Sequence, residues 1–164
     1  GCEAQAEYEA AAAVKAALRI PVVANGDIDS PAKAAEVLRA TGADALMVGR
    51  AAQGRPWIFR EIAHYLDTGT LASPPSTHEA RGWLLEHLQD HYGLYGEGLG
   101  VRSARKHIGW AVRALPGGEG FRAVMNTLET ADAQLRAVGS FFEALAATHP
   151  VLPAANHDHV RQAA

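Results

Sequence analysis

Two short turns carry the residue types best suited to hold an anion, Asn25-Gly26-Asp27 and Gly49-Arg50. Glycine lets backbone N–H groups come close to an oxyanion, and the Arg50 guanidinium presents a fork of donors that matches phosphate. Asp27 is the odd member, because a carboxylate repels phosphate; it is expected to cap the following helix or to accept from a ligand hydroxyl. Either turn alone reads as an ordinary sharp bend. Two in succession, each after an apolar run and before a helix, point to one phosphate gripped from both sides.

A second set is electrostatic. Arg102, Arg105, Lys106 and Arg113 recur at three- and four-residue steps, with no acidic residue between Glu97 and Glu119. Such a stripe suits a phosphate backbone, and His107 and Trp110 are placed to add hydrogen bonding or base stacking. Spacing alone favours the plainer alternative, a solvated helix face with Trp110 packed inward. Other signals carry less. His87 and His91 have metal-pair spacing but lack the acidic residue and third ligand of a zinc motif, so they read as a surface pair and no metal is expected. Gly96-Glu-Gly98-Leu-Gly100 follows a helix and is expected to connect two helices. His157-Asp158-His159 lies in a segment without periodicity.

The elements that must position these groups follow from hydrophobic spacing. Ala4 to Arg19 is rich in helix formers, with Ala11, Val14 and Leu18 on one face. Ile20 to Ala24 and Ala45 to Val48 are unbroken apolar runs, predicted to be strands buried on both faces. Between them Ser30-Pro31 opens a helix with Ala34, Val37, Leu38 and Thr41 inward and Gly42 as its stop. Pro56 opens another, with Ile58, Phe59, Ile62 and Leu66 in step up to Gly69. Alternating helices and buried strands imply a parallel sheet with crossovers, and two such strands cannot form a stable sheet alone.

Beyond a Ser/Pro linker at residues 71–75 the pattern becomes helical only. Ser76 to Glu79 matches a capping box, with Leu84, Leu85 and Leu88 inward and Gly93 past the helix end. Three further helices are expected, through Val101 to Leu115, Phe121 to Leu128 and Leu135 to Leu145. From His149 a loose tail is expected.

The chain has 164 residues, 48% hydrophobic and 20% charged, with a net charge of −3. That is globular and excludes nucleic-acid binding by whole-chain attraction. One cysteine, Cys2, permits no internal disulfide, and no apolar run approaches the ~20 residues of a membrane span, so a cytoplasmic location is expected. The first residue is Gly and no secretory signal precedes the first helix, which suggests a chain that begins within a longer protein.

Two stretches carry a family resemblance: Ile20-Pro-Val-Val-Ala-Asn-Gly-Asp-Ile28 and Gly42-Ala-Asp-Ala-Leu-Met-Val-Gly-Arg-Ala-Ala-Gln-Gly-Arg-Pro-Trp-Ile-Phe59. With Arg102-Ser-Ala-Arg-Lys-His-Ile-Gly-Trp110 and Phe121-Arg-Ala-Val-Met-Asn126, the chain resembles bacterial tRNA-dihydrouridine synthases up to about Leu145. The resemblance implies the C-terminal portion of a (β/α)8 TIM barrel, residues 1–70, then a small helical bundle at 76–147 that holds tRNA, and a tail at 148–164. It implies an oxidoreductase that reduces the C5–C6 bond of tRNA uridines with hydride from NADPH through FMN. Asn25, Gly26, Asp27, Gly49 and Arg50 then fall on FMN-binding positions, and Arg102, Arg105, Lys106 and His107 on the RNA side. The family's proton-donating cysteine is expected upstream of this chain, and Cys2 does not match its context. Alternatives are another phosphate-binding barrel flavoenzyme, or a non-catalytic RNA-binding remnant.

Overall fold

The computed structural model describes residues 2–153, with side chains from Tyr8 onward. They divide between Ala72 and Ser73 into two compact units.

The first unit runs α1 (Cys2–Ala17), β1 (Val23–Asn25), α2 (Pro31–Thr41), β2 (Ala45–Met47), a 3₁₀ turn (Arg50–Ala52) and α3 (Ile58–Thr68). Local chemistry sets the ends of α2. The Ser30 hydroxyl accepts from the Lys33 N–H, Pro31 occupies the first turn, and Gly42 closes the helix at φ 64°. Gly69 closes α3 in the same left-handed conformation, at φ 72°. The strands are parallel, with Ala24 opposite Leu46 and Asn25 opposite Met47. Tyr8, Ala24, Ile28, Ala34, Val37, Ile58 and Ile62 form the buried core.

The strands are not buried on both faces as their composition suggests. Ala24 is 2% exposed but Val23 is 58% exposed, and Met47 across the sheet is 47% exposed. Successive strand side chains point to opposite faces, and within this unit the helical core covers only the face of Ala24 and Leu46. The same one-sidedness corrects α3. Ile58 and Ile62 are buried, but Phe59 and Leu66, expected inward, are about half exposed and line an open apolar groove with Leu38 and Val48.

The second unit comprises α4 (Thr77–Val112), α5 (Gly118–Met125) and α6 (Ala131–Thr148). The capping box is complete: the Glu79 N–H donates to the Ser76 hydroxyl at 3.1 Å, and the Ser76 N–H donates to the Glu79 carboxylate at 2.8 Å. A straight helix would separate His87 from His107 by about 30 Å, yet their ring nitrogens are 3.2 Å apart. The chain therefore doubles back, at Gly96, whose φ of 69° and ψ of 178° break the helix. The first arm runs past Gly93 to this point, and residues 97–100 belong to the second arm, not to a loop as expected. A Cβ on Gly100 would stand 3.2 Å from the Tyr92 ring, so the arms pack closely beyond the elbow.

Leu88, Ile108, Val112, Val138 and Phe142 fill the interior of this unit; full burial of such side chains contributes about 1.5–3 kcal/mol each. Gln134 is completely buried among them. Its amide donates to the Val101 carbonyl at 3.2 Å and accepts from the Tyr92 hydroxyl at 2.7 Å, which joins α6 to both arms of α4. The expected loose tail is partly ordered: Thr77 N–H donates to the Pro150 carbonyl at 2.9 Å, Leu152 N–H to the Pro75 carbonyl at 3.1 Å, and Leu152 is buried. One buried leucine and a short backbone pairing need no periodicity, which is why the pattern does not reveal them. His157-Asp158-His159 lies outside the described residues.

A Cβ added to Gly118 would stand 1.8 Å from the Val112 carbonyl oxygen, a backbone atom that cannot swing aside. Gly118→Ala is therefore expected to destabilise the helical unit by about 3 kcal/mol or more, read as a fall in melting temperature and denaturation midpoint. An unchanged midpoint would contradict this packing.

Candidate functional site

Parallel pairing of Asn25 with Met47 puts the two glycine turns side by side. Their contact is direct: Arg50 Nη2 donates to Asp27 Oδ1 at 2.6 Å. Asp27 is thus held by Arg50, and the cap of α2 is Ser30, which corrects the expectation that Asp27 would cap it. Both partners are more than half exposed, so the pair orients the guanidinium and adds little stability. The backbone here is unusual. Gly26 has φ 150°, and Asp27 has φ 39°, a conformation that few side-chain-bearing residues adopt. Gly49 faces open space, with nothing within 4 Å of where a Cβ would stand. No side chain caps the 3₁₀ turn that Arg50 begins.

Two side chains that sequence reasoning missed, Tyr8 and Arg55, brace the first of these turns, and a third, Asp44, ties the strands at their opposite ends. The Tyr8 hydroxyl donates to the Gly26 carbonyl at 2.8 Å from within the core. Arg55, largely buried, donates to the Asp29 carbonyl at 3.3 Å and pairs with Glu61 on α3, so it ties the segment after β1 to the helix after β2. Asp44 receives Lys15 Nζ at 2.6 Å and the Val22 N–H at 2.7 Å, joining α1 to both strand entries. The Lys15 ammonium and then the Val22 N–H hold its carboxyl below the ordinary carboxylate range. None of these pairings has a local sequence signal, because the partners lie 6 to 29 residues apart.

The predicted basic stripe separates into two kinds of residue. Arg102 and Lys106 are exposed; Arg102 Nε reaches back to the Gly98 carbonyl at 3.2 Å, and Lys106 Nζ lies 5.5 Å from the centre of the Trp110 ring. Arg105 turns inward, donates to the Leu128 carbonyl at 3.2 Å and has a buried Nε. Its place one turn after Val101 and three residues before Ile108 puts it at the margin of the buried face, a signal present in the spacing.

His107 joins a cluster with His87 and His91, its ring 4.9 Å and 5.0 Å from theirs. His91, expected at the surface, is 8% exposed and bonded to Ser103 Oγ at 2.7 Å. Burial lowers the His91 pKa below the ordinary 6.5, and the His87 charge adds to the effect. Burial lowers His107 too, with further contributions from His87, His91 and Lys106. Among the described residues, no group of three or more His, Cys, Asp or Glu is arranged to hold a metal ion, and no helix is long and apolar enough to cross a membrane.

Parallel strands joined by a helix, with glycine turns at their carboxyl ends, place the first unit in the parallel α/β class, in keeping with part of a (β/α)8 barrel. The chain belongs to the dihydrouridine synthase (Dus) family, which it matches over residues 1–146. It is 59% identical over 145 residues to tRNA-dihydrouridine synthase B of Xanthomonas axonopodis pv. citri, covering 88% of this chain and 44% of that protein. The Pseudomonas aeruginosa protein of the same name is 56% identical over 138 residues, 84% of this chain and 42% of its own length. That of Yersinia pestis is 51% identical over 142 residues, 87% and 44% respectively. The chain thus spans less than half the length of these relatives.

The histidine cluster gives the helical unit a pH dependence of defined sign. With pKa values lowered on folding, His91 and His107 bind fewer protons in the folded state than in the unfolded one, so stability is full above pH 6.5 and declines as pH falls through and below it. Melting temperature measured from pH 8 to pH 5 is expected to drop on the acid side, less steeply in His91→Gln relative to its own value at neutral pH. An equally steep decline in that variant would assign the effect elsewhere.

Proposed function

We propose that this chain forms part of a tRNA-dihydrouridine synthase, an oxidoreductase that reduces the C5–C6 double bond of uridines in tRNA with NADPH as reductant and FMN as cofactor. The observation that carries this reading is 51–59% identity to proteins named for that activity, over most of this chain. In this reading residues 1–70 are the closing units of a (β/α)8 barrel and residues 76–147 a domain that holds tRNA. The proton-donating cysteine belongs to the part of the relatives' length that this chain does not span, and Cys2 has no catalytic assignment. The whole enzyme works in the cytoplasm.

The turns fit a phosphate. Open space at Gly49 admits an anion close to the backbone, and no side chain caps the 3₁₀ turn that follows. Asp27 engages one nitrogen of Arg50 and leaves the rest of the guanidinium for a second acceptor. Asn25, Gly26, Asp27, Gly49 and Arg50 would hold the phosphate end of FMN, which when bound supplies hydride transfer. Tyr8 and Arg55 keep the two turns in register for that grip. On the helical unit Arg102 and Lys106 meet the tRNA backbone, with Arg105 and His107 shaping the surface behind them.

Fluorescence titrations with FMN and riboflavin test the first assignment, because the two differ only in the phosphate. The chain is expected to bind both weakly and to prefer FMN; Arg50→Ala is expected to reduce that preference roughly tenfold with an unchanged melting temperature. Equal affinity for both flavins in the unaltered chain would refute it. For the second, binding of unmodified tRNA is expected to weaken steeply with salt, and Arg102→Ala and Lys106→Ala each to lower the slope of log K against log salt by about 1. A slope that neither change moves would place RNA elsewhere.

A further inference from the structure

His87 and His107 come from opposite arms of α4 and meet at the protein surface, His87 Nε2 to His107 Nδ1 at 3.2 Å. The third ring, His91, is already committed. The single hydroxyl hydrogen of Ser103 goes to the Leu99 carbonyl at 2.8 Å, so Ser103 Oγ accepts from His91 Nε2, which fixes the neutral tautomer of that ring. The exposed pair has more freedom. When both rings are neutral, one nitrogen of the contact donates and the other accepts. One added proton leaves that bond intact and makes both outward nitrogens, His87 Nδ1 and His107 Nε2, N–H donors on a pair of charge +1. A second proton would set donor against donor across the contact.

The acidic residues beside His87 on the first arm, Glu86 and Asp90, are exposed to solvent. The charged groups acting on His91 and His107 are His87, His91 and Lys106, and no carboxylate is among them. On the same arms, Tyr95 stands 4.7 Å from His91 ring to ring. From α5, the Arg122 side chain approaches Gly109 and its partner is Glu119 at 3.9 Å, on its own helix. From α6, neutral Gln134 meets Tyr92, whose hydroxyl burial and then Glu97 push up to about 12. Glu97 itself accepts from the Ala131 N–H at 2.8 Å. The cluster thus has a neighbouring ammonium at Lys106, and the groups that act on His91 and His107 include no carboxylate.

We infer that His87 and His107 bind a phosphate diester of RNA in their singly protonated form, so that RNA binding by the helical unit takes up a proton from solvent. The inference rests on the RNA-binding reading of this unit and extends it across the hairpin to the first arm. Three features select RNA. A diester carries the single negative charge that the protonated pair lacks. Trp110, 5.3 Å from His107 and beneath the Lys106 ammonium, adds an aromatic ring beside the phosphate site. Arg102, exposed one helical turn before Lys106, continues the line of cationic groups along the second arm. Burial and neighbouring positive charge disfavour a proton on His107 in the free chain, and a bound phosphate favours it, so binding draws a proton in.

Calorimetric titration of the whole chain with unmodified tRNA, at about pH 7 and low salt in two buffers of different ionisation enthalpy, measures the proton directly. Net uptake is expected, with affinity rising roughly three- to sixfold from pH 8 to pH 6, the effect of a pKa raised by about one unit on binding. His87→Gln with His107→Gln keeps hydrogen-bonding groups without titration. It is expected to abolish the uptake and flatten the pH profile while the salt slope set by Arg102 and Lys106 remains. Binding without proton uptake overturns this inference and leaves the RNA reading standing. So does uptake that persists in the double variant. No binding of tRNA at either pH overturns both.

Discussion

In each unit the candidate site depends on a glycine whose backbone has a positive φ, a conformation that a side chain would oppose. Gly26 turns the chain at the end of β1, so that Asp27 faces the Arg50 guanidinium from the neighbouring turn. Gly96 reverses α4, so that residues about 20 apart in sequence touch across the hairpin. A helix or strand can only repeat a face at its own period; it cannot bring a residue against one 20 positions away. Relieving the bend at either glycine would leave every individual side chain intact and remove the juxtaposition.

The two sites solve their electrostatics in opposite ways. At the strand ends the cation carries its own anion: Arg50 is held by Asp27 in solvent, which fixes its direction at little energetic cost. In the hairpin three imidazoles gather beside an ammonium, and burial with like charge disfavours protonation of His91 and His107. Packing makes this possible. Gln134, Tyr92 and the Val101 carbonyl form a satisfied polar link between α6 and the two arms, so the hairpin is held from behind and not by the cluster at its surface.

The apolar surface of the first unit has a related meaning. Val23 and Met47 lie on the uncovered face of a two-stranded sheet, and Phe59 and Leu66 on the uncovered side of α3. Their residue types suit an interior, and the chain spans less than half the length of its relatives. The proposed barrel would cover these positions, which accounts for strands whose sequence reads as doubly buried and whose surroundings here bury one face.

The sequence by itself determined the elements whose signals are local. Ser30, Pro31 and Gly42 bound α2, Ser76 and Glu79 begin α4, and the strand-glycine pairs mark two neighbouring turns, because caps and turns act within a few residues of themselves. Family membership was legible in the same stretches. Tertiary structure alone decided which charged groups are free: Arg102 and Arg105 look equivalent in sequence, yet one faces solvent and the other the Leu128 carbonyl. It also decided that Asp27 meets Arg50 in place of a helix N-terminus, and that His87, His91 and His107 form one cluster. Those outcomes depend on contacts between distant segments, which exist only once the strands have paired and the hairpin has closed.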